Sequence, residues 1–209
     1  MKAFPVVFRA FKAFYEDLFL CTQVSLLWWV GLLLIVTAAP ATYVMNAVTN
    51  RLANYKRSEL GFFWQEGRGR FGKAWLLFAL VVVVVALILL NVWFYSDAGG
   101  YWGIAAIVWL WVLFVALMVG QYLFPLMCQQ NEPDIRLALR NAGVLALRSP
   151  LYTAIGLIVQ LLIIFASVSL FVPLLLILPG LIALISNFLL TGLLQEMGLA
   201  DPPPTTVGE

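Results

Sequence analysis

Four runs of the chain contain no charged residue: 18–50, 74–96, 98–131 and 149–195. A helix rises about 1.5 Å per residue, so about 20 apolar residues cross the hydrocarbon of a bilayer. The second run fits one crossing, and the fourth, at 47 residues, is too long for one and fits two. Its break is expected between Ser169 and Pro173. The first and third runs, of 33 and 34 residues, each fit one crossing with an interfacial extension. In the first, Pro40 is expected to end the span, because the residue before a proline disfavours helix, and to open a new helix. In the third, the turn from Asp97 to Tyr101 leads into the span.

The fold class that follows is an all-α, polytopic transmembrane helix bundle of about five spans, near 18–38, 74–96, 102–126, 151–170 and 174–195. Two basic amphipathic helical loops, 41–72 and 132–149, lie between them on the cytoplasmic side. Composition agrees: hydrophobic residues make up 64% of the chain and charged residues 11%, where soluble domains sit nearer half and a quarter. Residues 1–17 form an amphipathic N-terminal segment in which Phe4, Phe8, Phe11, Phe14 and Tyr15 alternate with Lys2, Arg9 and Lys12. Residues 18–196 are the transmembrane domain. Residues 197–209, with prolines at 202, 203 and 204, are a disordered tail. Trp28 and Trp29 in the middle of the first run, and Pro40 where a small-residue cleavage site would fall, argue against a cleaved signal peptide.

Lysine and arginine counts set the expected orientation. The 39–73 loop carries Arg51, Lys56, Arg57, Arg68, Arg70 and Lys73; the 131–150 loop carries Arg136, Arg140 and Arg148; the turns at 97–101 and 169–174 carry none. Both basic loops are therefore expected in the cytoplasm, with the C-terminus inside and the N-terminus outside. Trp93, Tyr95, Tyr101 and Trp102 supply an outer aromatic belt, and Trp64 and Trp75 flank the inner surface. Arg68, Arg70, Lys73, Arg136, Arg140 and Arg148 are the expected contacts to lipid phosphate or to a protein partner.

Chemistry is sparse. There is no histidine, which removes the commonest general base and metal ligand. The carboxylates Glu16, Asp17, Glu59, Glu66, Asp97, Glu132, Asp134, Glu196, Asp201 and Glu209 all fall at span ends or in loops, so no intramembrane proton relay is expected. Residues 67–72 read GRGRFG, but the dinucleotide fingerprint needs a βαβ unit around it, and a membrane span follows here. The two cysteines, Cys21 and Cys128, are placed near opposite faces and are expected to be free thiols that pack as small apolar residues. No cofactor, no metal and no nucleic-acid partner is expected. The polar residues inside spans are amides and hydroxyls; Gln121, Gln160 and Asn187 could line a polar pocket for a small ligand or solute, or instead bind the helices to one another.

Several stretches carry a likeness to a known family: Leu26-Leu27-Trp28 in the first span, Thr37 and Pro40-Ala41-Thr42 at its end, and Phe62-Phe63 and Phe71 before the second span. Leu139-Arg140-Asn141-Ala142 and Leu145-Ala146-Leu147-Arg148, before the fourth span, extend it. Over most of residues 14–196 the chain resembles the YesL-like family of small bacterial membrane proteins. The resemblance implies a multi-pass protein of the bacterial inner membrane without an assigned activity or catalytic motif. Members are often encoded beside carbohydrate uptake systems, which implies a non-enzymatic accessory or scaffold role, with a membrane transporter or other protein as partner. A solute transporter or channel is the alternative expectation, and an enzyme acting on lipid or glycan the third.

Overall fold

A computed structural model describes residues 3–56, 70–98, 100–130, 132–170 and 172–201. Eight helices make up the described chain: α1 (Ala3–Glu16), α2 (Leu18–Leu33), α3 (Ala38–Ala53), α4 (Phe71–Asp97), α5 (Trp102–Gln129), α6 (Ile135–Arg148), α7 (Pro150–Leu170) and α8 (Val172–Glu196). Four segments, in α4, α5, α7 and α8, are long and apolar enough to cross a membrane: Phe71–Asp97, Trp102–Gln129, Pro150–Val168 and Leu176–Glu196. They contain or closely match the last four expected spans; α7 ends at Leu170 and α8 begins at Val172, and Phe171 between them, within the expected break, lies outside the described residues.

The first expected span, 18–38, is shorter than the sequence pattern implies. α2 ends at Leu33, so its 16 residues reach about 24 Å, less than the roughly 30 Å of hydrocarbon. The chain leaves the helix in a tight turn where Ile35 adopts a φ of 53°, a conformation costly for a β-branched residue. Thr37 Oγ1 donates to Gly31 O at 2.9 Å, and Trp75 Nε1 donates to Val36 O at 2.9 Å. Pro40 therefore does not end the span; it lies in the first turn of α3, where a proline costs no helical hydrogen bond. α1 and α2 meet at a 90° bend and could form at most one broken span, bringing the number of crossings to five.

The larger departure concerns α3. Residues 41–72 read as a basic amphipathic loop, yet α3 is packed at the centre of the bundle against α8, α2, α5 and α4. Fourteen of its 16 residues are buried, including Asn46, Thr49 and Asn50. The physical reason is its small and polar composition. Ala38, Ala39, Ala41, Ala47 and Ala53 are all buried and allow close helix approach, and its amides are paired across the helix–helix contact, as membrane interiors favour. The other part of that loop, 57–69, lies outside the described residues.

Core and periphery are sharply divided. In α8, 78% of the membrane-length window is buried, against 11% in α4 and 6% in α5. Close approach to α8 occurs at glycines: a Cβ on Gly180 would collide with Ser25 Oγ and lie 3.0 Å from Cys21 O, and one on Gly192 would lie 2.8 Å from Tyr152 OH and 3.0 Å from Val6. α4 and α5 form a hairpin closed by aromatic residues. Tyr95 and Trp102 stack with centroids 5.8 Å apart, while Trp93, Tyr101 and Trp102 are exposed, as an interfacial belt requires.

α1 packs through Val6, Val7 and Ala10, with Phe4, Phe8 and Phe11 turned outward, so the aromatic stripe faces the surroundings and small aliphatics face the core. Its start lies beside the end of α8: Pro5, Val6 and Arg9 share a cleft with Gln195, Glu196 and Asp201. α6 is capped by Asp134, whose Oδ1 accepts from Arg136 N at 2.9 Å. Ala138, Ala142, Leu145 and Ala146 are its buried face.

Candidate functional site

The polar side chains of the spans converge on α8 in two neighbouring clusters. Ser186 and Asn187 are consecutive, so their side chains point about 100° apart around the helix and each serves a different neighbour.

Asn187, fully buried, faces α3. Its Oδ1 accepts from Asn50 Nδ2 at 2.9 Å. Its Nδ2 donates to Thr49 Oγ1 at 3.0 Å and to Ala183 O at 2.9 Å, with Asn46 Oδ1 at 3.4 Å. Asn54 Nδ2 continues the cluster to Asn50 O at 2.8 Å. Every polar atom of the Asn187 amide is engaged by protein, which is what hydrocarbon demands of a buried amide.

Ser186 faces α5 and α7. Gln160 Nε2 lies 3.3 Å from both Ser186 Oγ and Gln121 Oε1. Gln121 Nε2 donates to Met118 O and Thr153 O, each at 3.2 Å, and Tyr122 OH pairs with Thr153 Oγ1 at 3.1 Å. Of the three expected pocket residues, Gln121 and Gln160 therefore meet, whereas Asn187 belongs to the other cluster. Its partners Asn46, Thr49 and Asn50 fall in a segment whose composition marks an amphipathic loop; the recurrence of Asn and Thr at three- and four-residue spacing is the signal the sequence offers for them.

Between α2, α3, α5, α7 and α8 lies a cavity of about 380 Å³. Trp28, Trp29, Asn46, Gln121, Phe124 and Ser186 contribute to its wall, and no lining residue is ionisable. Gln160 and Asn187 are not on the wall. Trp28 is held by its Nε1 donating to Thr42 Oγ1 at 2.9 Å. Ile164 lines the cavity and is itself exposed, so the space opens beside α7.

The basic residues are dispersed. Arg70 donates to the Tyr43 hydroxyl and sits 5.8 Å from the centre of that ring, so it ties α4 to α3. Lys73 is exposed, as are Arg136, Arg140 and Arg148 on α6. Arg68 lies outside the described residues. Leu137, Val144 and Leu147 share the exposed side of α6 with these arginines. Neither cysteine is in a disulfide; Cys21 is buried and Cys128 Sγ lies 3.7 Å from Tyr43 O. Among the described residues no three His, Cys, Asp or Glu side chains come together as metal ligands would.

The chain matches no protein-family model, no curated protein and no solved structure.

Proposed function

We propose that the chain is a non-enzymatic accessory or scaffold protein of the bacterial cytoplasmic membrane, with α6 as the surface it offers to a membrane-protein partner over an anionic leaflet. The supporting observation is how the polar groups are spent. Asn50, Asn187, Gln121 and Gln160 hydrogen-bond within the bundle, while Arg136, Arg140 and Arg148 remain exposed among Leu137, Val144 and Leu147. Each arginine near an anionic surface contributes about 1 kcal/mol. The likeness to proteins encoded beside carbohydrate uptake systems favours a sugar importer as the partner. Passage of a small solute is the weaker alternative, because Gln160 and Asn187 lie off the cavity wall and a continuous polar path would need them.

The start of α1 beside the end of α8 favours both termini on one side of the membrane. The orientation we propose is thus four crossings with both ends in the cytoplasm, in place of the N-outside arrangement drawn from charge counts. A reporter active only in the cytoplasm, fused to either end, should be active at both.

Affinity purification from mildly solubilised membranes tests the scaffold role. The expected result is stoichiometric recovery of one multi-span transport protein, lost in the triple variant Arg136→Glu, Arg140→Glu, Arg148→Glu while the chain still inserts. Recovery of the chain with phospholipid alone would overturn it.

A further inference from the structure

We infer that the cavity between α2, α3, α5, α7 and α8 is a binding site for a neutral, lipid-soluble alcohol: a hydrocarbon body with a single hydroxyl head. Its size, about 380 Å³, falls within the range of small-molecule sites. Its wall is mostly apolar and carries no charge, so a carboxylate or ammonium head would enter uncompensated. The mouth lies beside exposed Ile164 on a helix apolar enough to cross a membrane, so a ligand would arrive from the hydrocarbon rather than from water.

Two features single this cavity out from an accidental packing gap. The only prolines inside the long helices of the described chain, Pro125 in α5 and Pro179 in α8, both line it. A proline inside a helix cannot donate to the carbonyl four residues earlier. Pro125 thus leaves the Gln121 carbonyl without its helical donor, on a residue that also faces the cavity. In hydrocarbon such an acceptor must find another donor, and a ligand hydroxyl supplies one. The second feature is Ser186. Its Oγ accepts from Gln160 Nε2 at 3.3 Å, which leaves the hydroxyl proton to donate, and Ser186 sits on the wall beside Gln121. One hydroxyl, donating to Gln121 and accepting from Ser186, satisfies both sides, while Trp28, Trp29 and Phe124 enclose the chain. A hydroxyl is the smallest head that both donates and accepts.

The test uses the full chain in phospholipid nanodiscs and a long-chain alcohol carrying a mid-chain diazirine. Photolabelling should saturate, map to peptides of α2, α3, α5 and α8 that line the cavity, and be displaced by the unlabelled alcohol. Ser186→Ala should weaken it about fivefold, the effect of one neutral hydrogen bond, with an unchanged helical spectrum. The matching alkane and carboxylate probes should label these peptides less than the alcohol. Non-saturating labelling confined to the outward faces of α4 and α5, equal labelling by the alkane, or saturable labelling indifferent to Ser186→Ala would each overturn the assignment.

Discussion

The α4–α5 hairpin and the α3–α8 pair obey opposite rules. α4 is an almost unbroken apolar helix, with five consecutive valines from Val81 to Val85, yet only 11% of its membrane-length window is buried. α8 carries Ser186, Asn187 and Thr191 and is 78% buried over its window, and α3, with Asn46, Thr49 and Asn50, is buried along nearly its whole length. In water the apolar helix would be the core. In lipid the surroundings are as apolar as leucine, so hydrophobicity marks what may face outward. Small size and hydrogen-bonding capacity mark what must face inward. Hydropathy therefore measures compatibility with the solvent, and in this molecule it runs against burial.

Substitutions can break that contrast. The largest loss is expected at Gly180, where any side chain meets Ser25 and the Cys21 carbonyl. Gly180→Leu should lower thermal stability in detergent by about 3 kcal/mol, the upper end for overpacking; an unchanged melting temperature would mean that α2 does not cross α8 there. Next comes Asn187→Leu, expected to cost about 2 kcal/mol, because Asn50, Thr49 and Asn46 lose their partner away from water. A variant as stable as the parent would show that the amide cluster does not hold the core.

A double-mutant cycle between Asn50→Ala and Asn187→Ala should return a coupling of about 1 kcal/mol, and additive effects would place the two amides apart. The smallest effect belongs to the hairpin. Leu90, 57% exposed, exchanges lipid for lipid, so Leu90→Val should shift stability by less than about 0.5 kcal/mol. A loss of several kcal/mol would reveal a core contact on α4.

The parts of the fold legible in the sequence are those where lipid is the neighbour. Uncharged runs bounded by Lys73, Asp97, Glu132, Arg148 and Glu196 locate α4, α5, α7 and α8 because a charge at mid-membrane is expensive. That the fourth run holds two membrane-length segments follows from its length alone. α3 was hidden for the converse reason. Its Asn, Thr and Ala residues lower its hydropathy, and Arg51 and Lys56 at its end make it resemble the basic loop that follows. The end of α2 is not legible because Leu34, Ile35 and Val36 are apolar, whereas the turn there is set by Thr37 and by Trp75, nearly 40 residues away. Local pattern carries no record of such a long-range hydrogen bond.

Of the candidate site, the sequence offers Gln121, Gln160 and Asn187 as one group of span amides, with Gln160 and Asn187 nearest mid-span, whereas the structure pairs Gln160 with Gln121. The role of Asn187 depended on α3 and was not legible. Arg70, grouped with lipid-facing cations by charge alone, turned toward Tyr43, a residue whose burial only the packing of α3 reveals.

Hydrogen exchange on the unmodified chain in nanodiscs compares the regions directly. If α3 lies at the centre of the bundle, amides of Tyr43–Ala53 should exchange as slowly as those of Leu181–Leu193 and far more slowly than those of α6, whose outer face is exposed. Exchange in Tyr43–Ala53 as fast as in α6 would return this segment to the membrane surface and contradict the buried amide core.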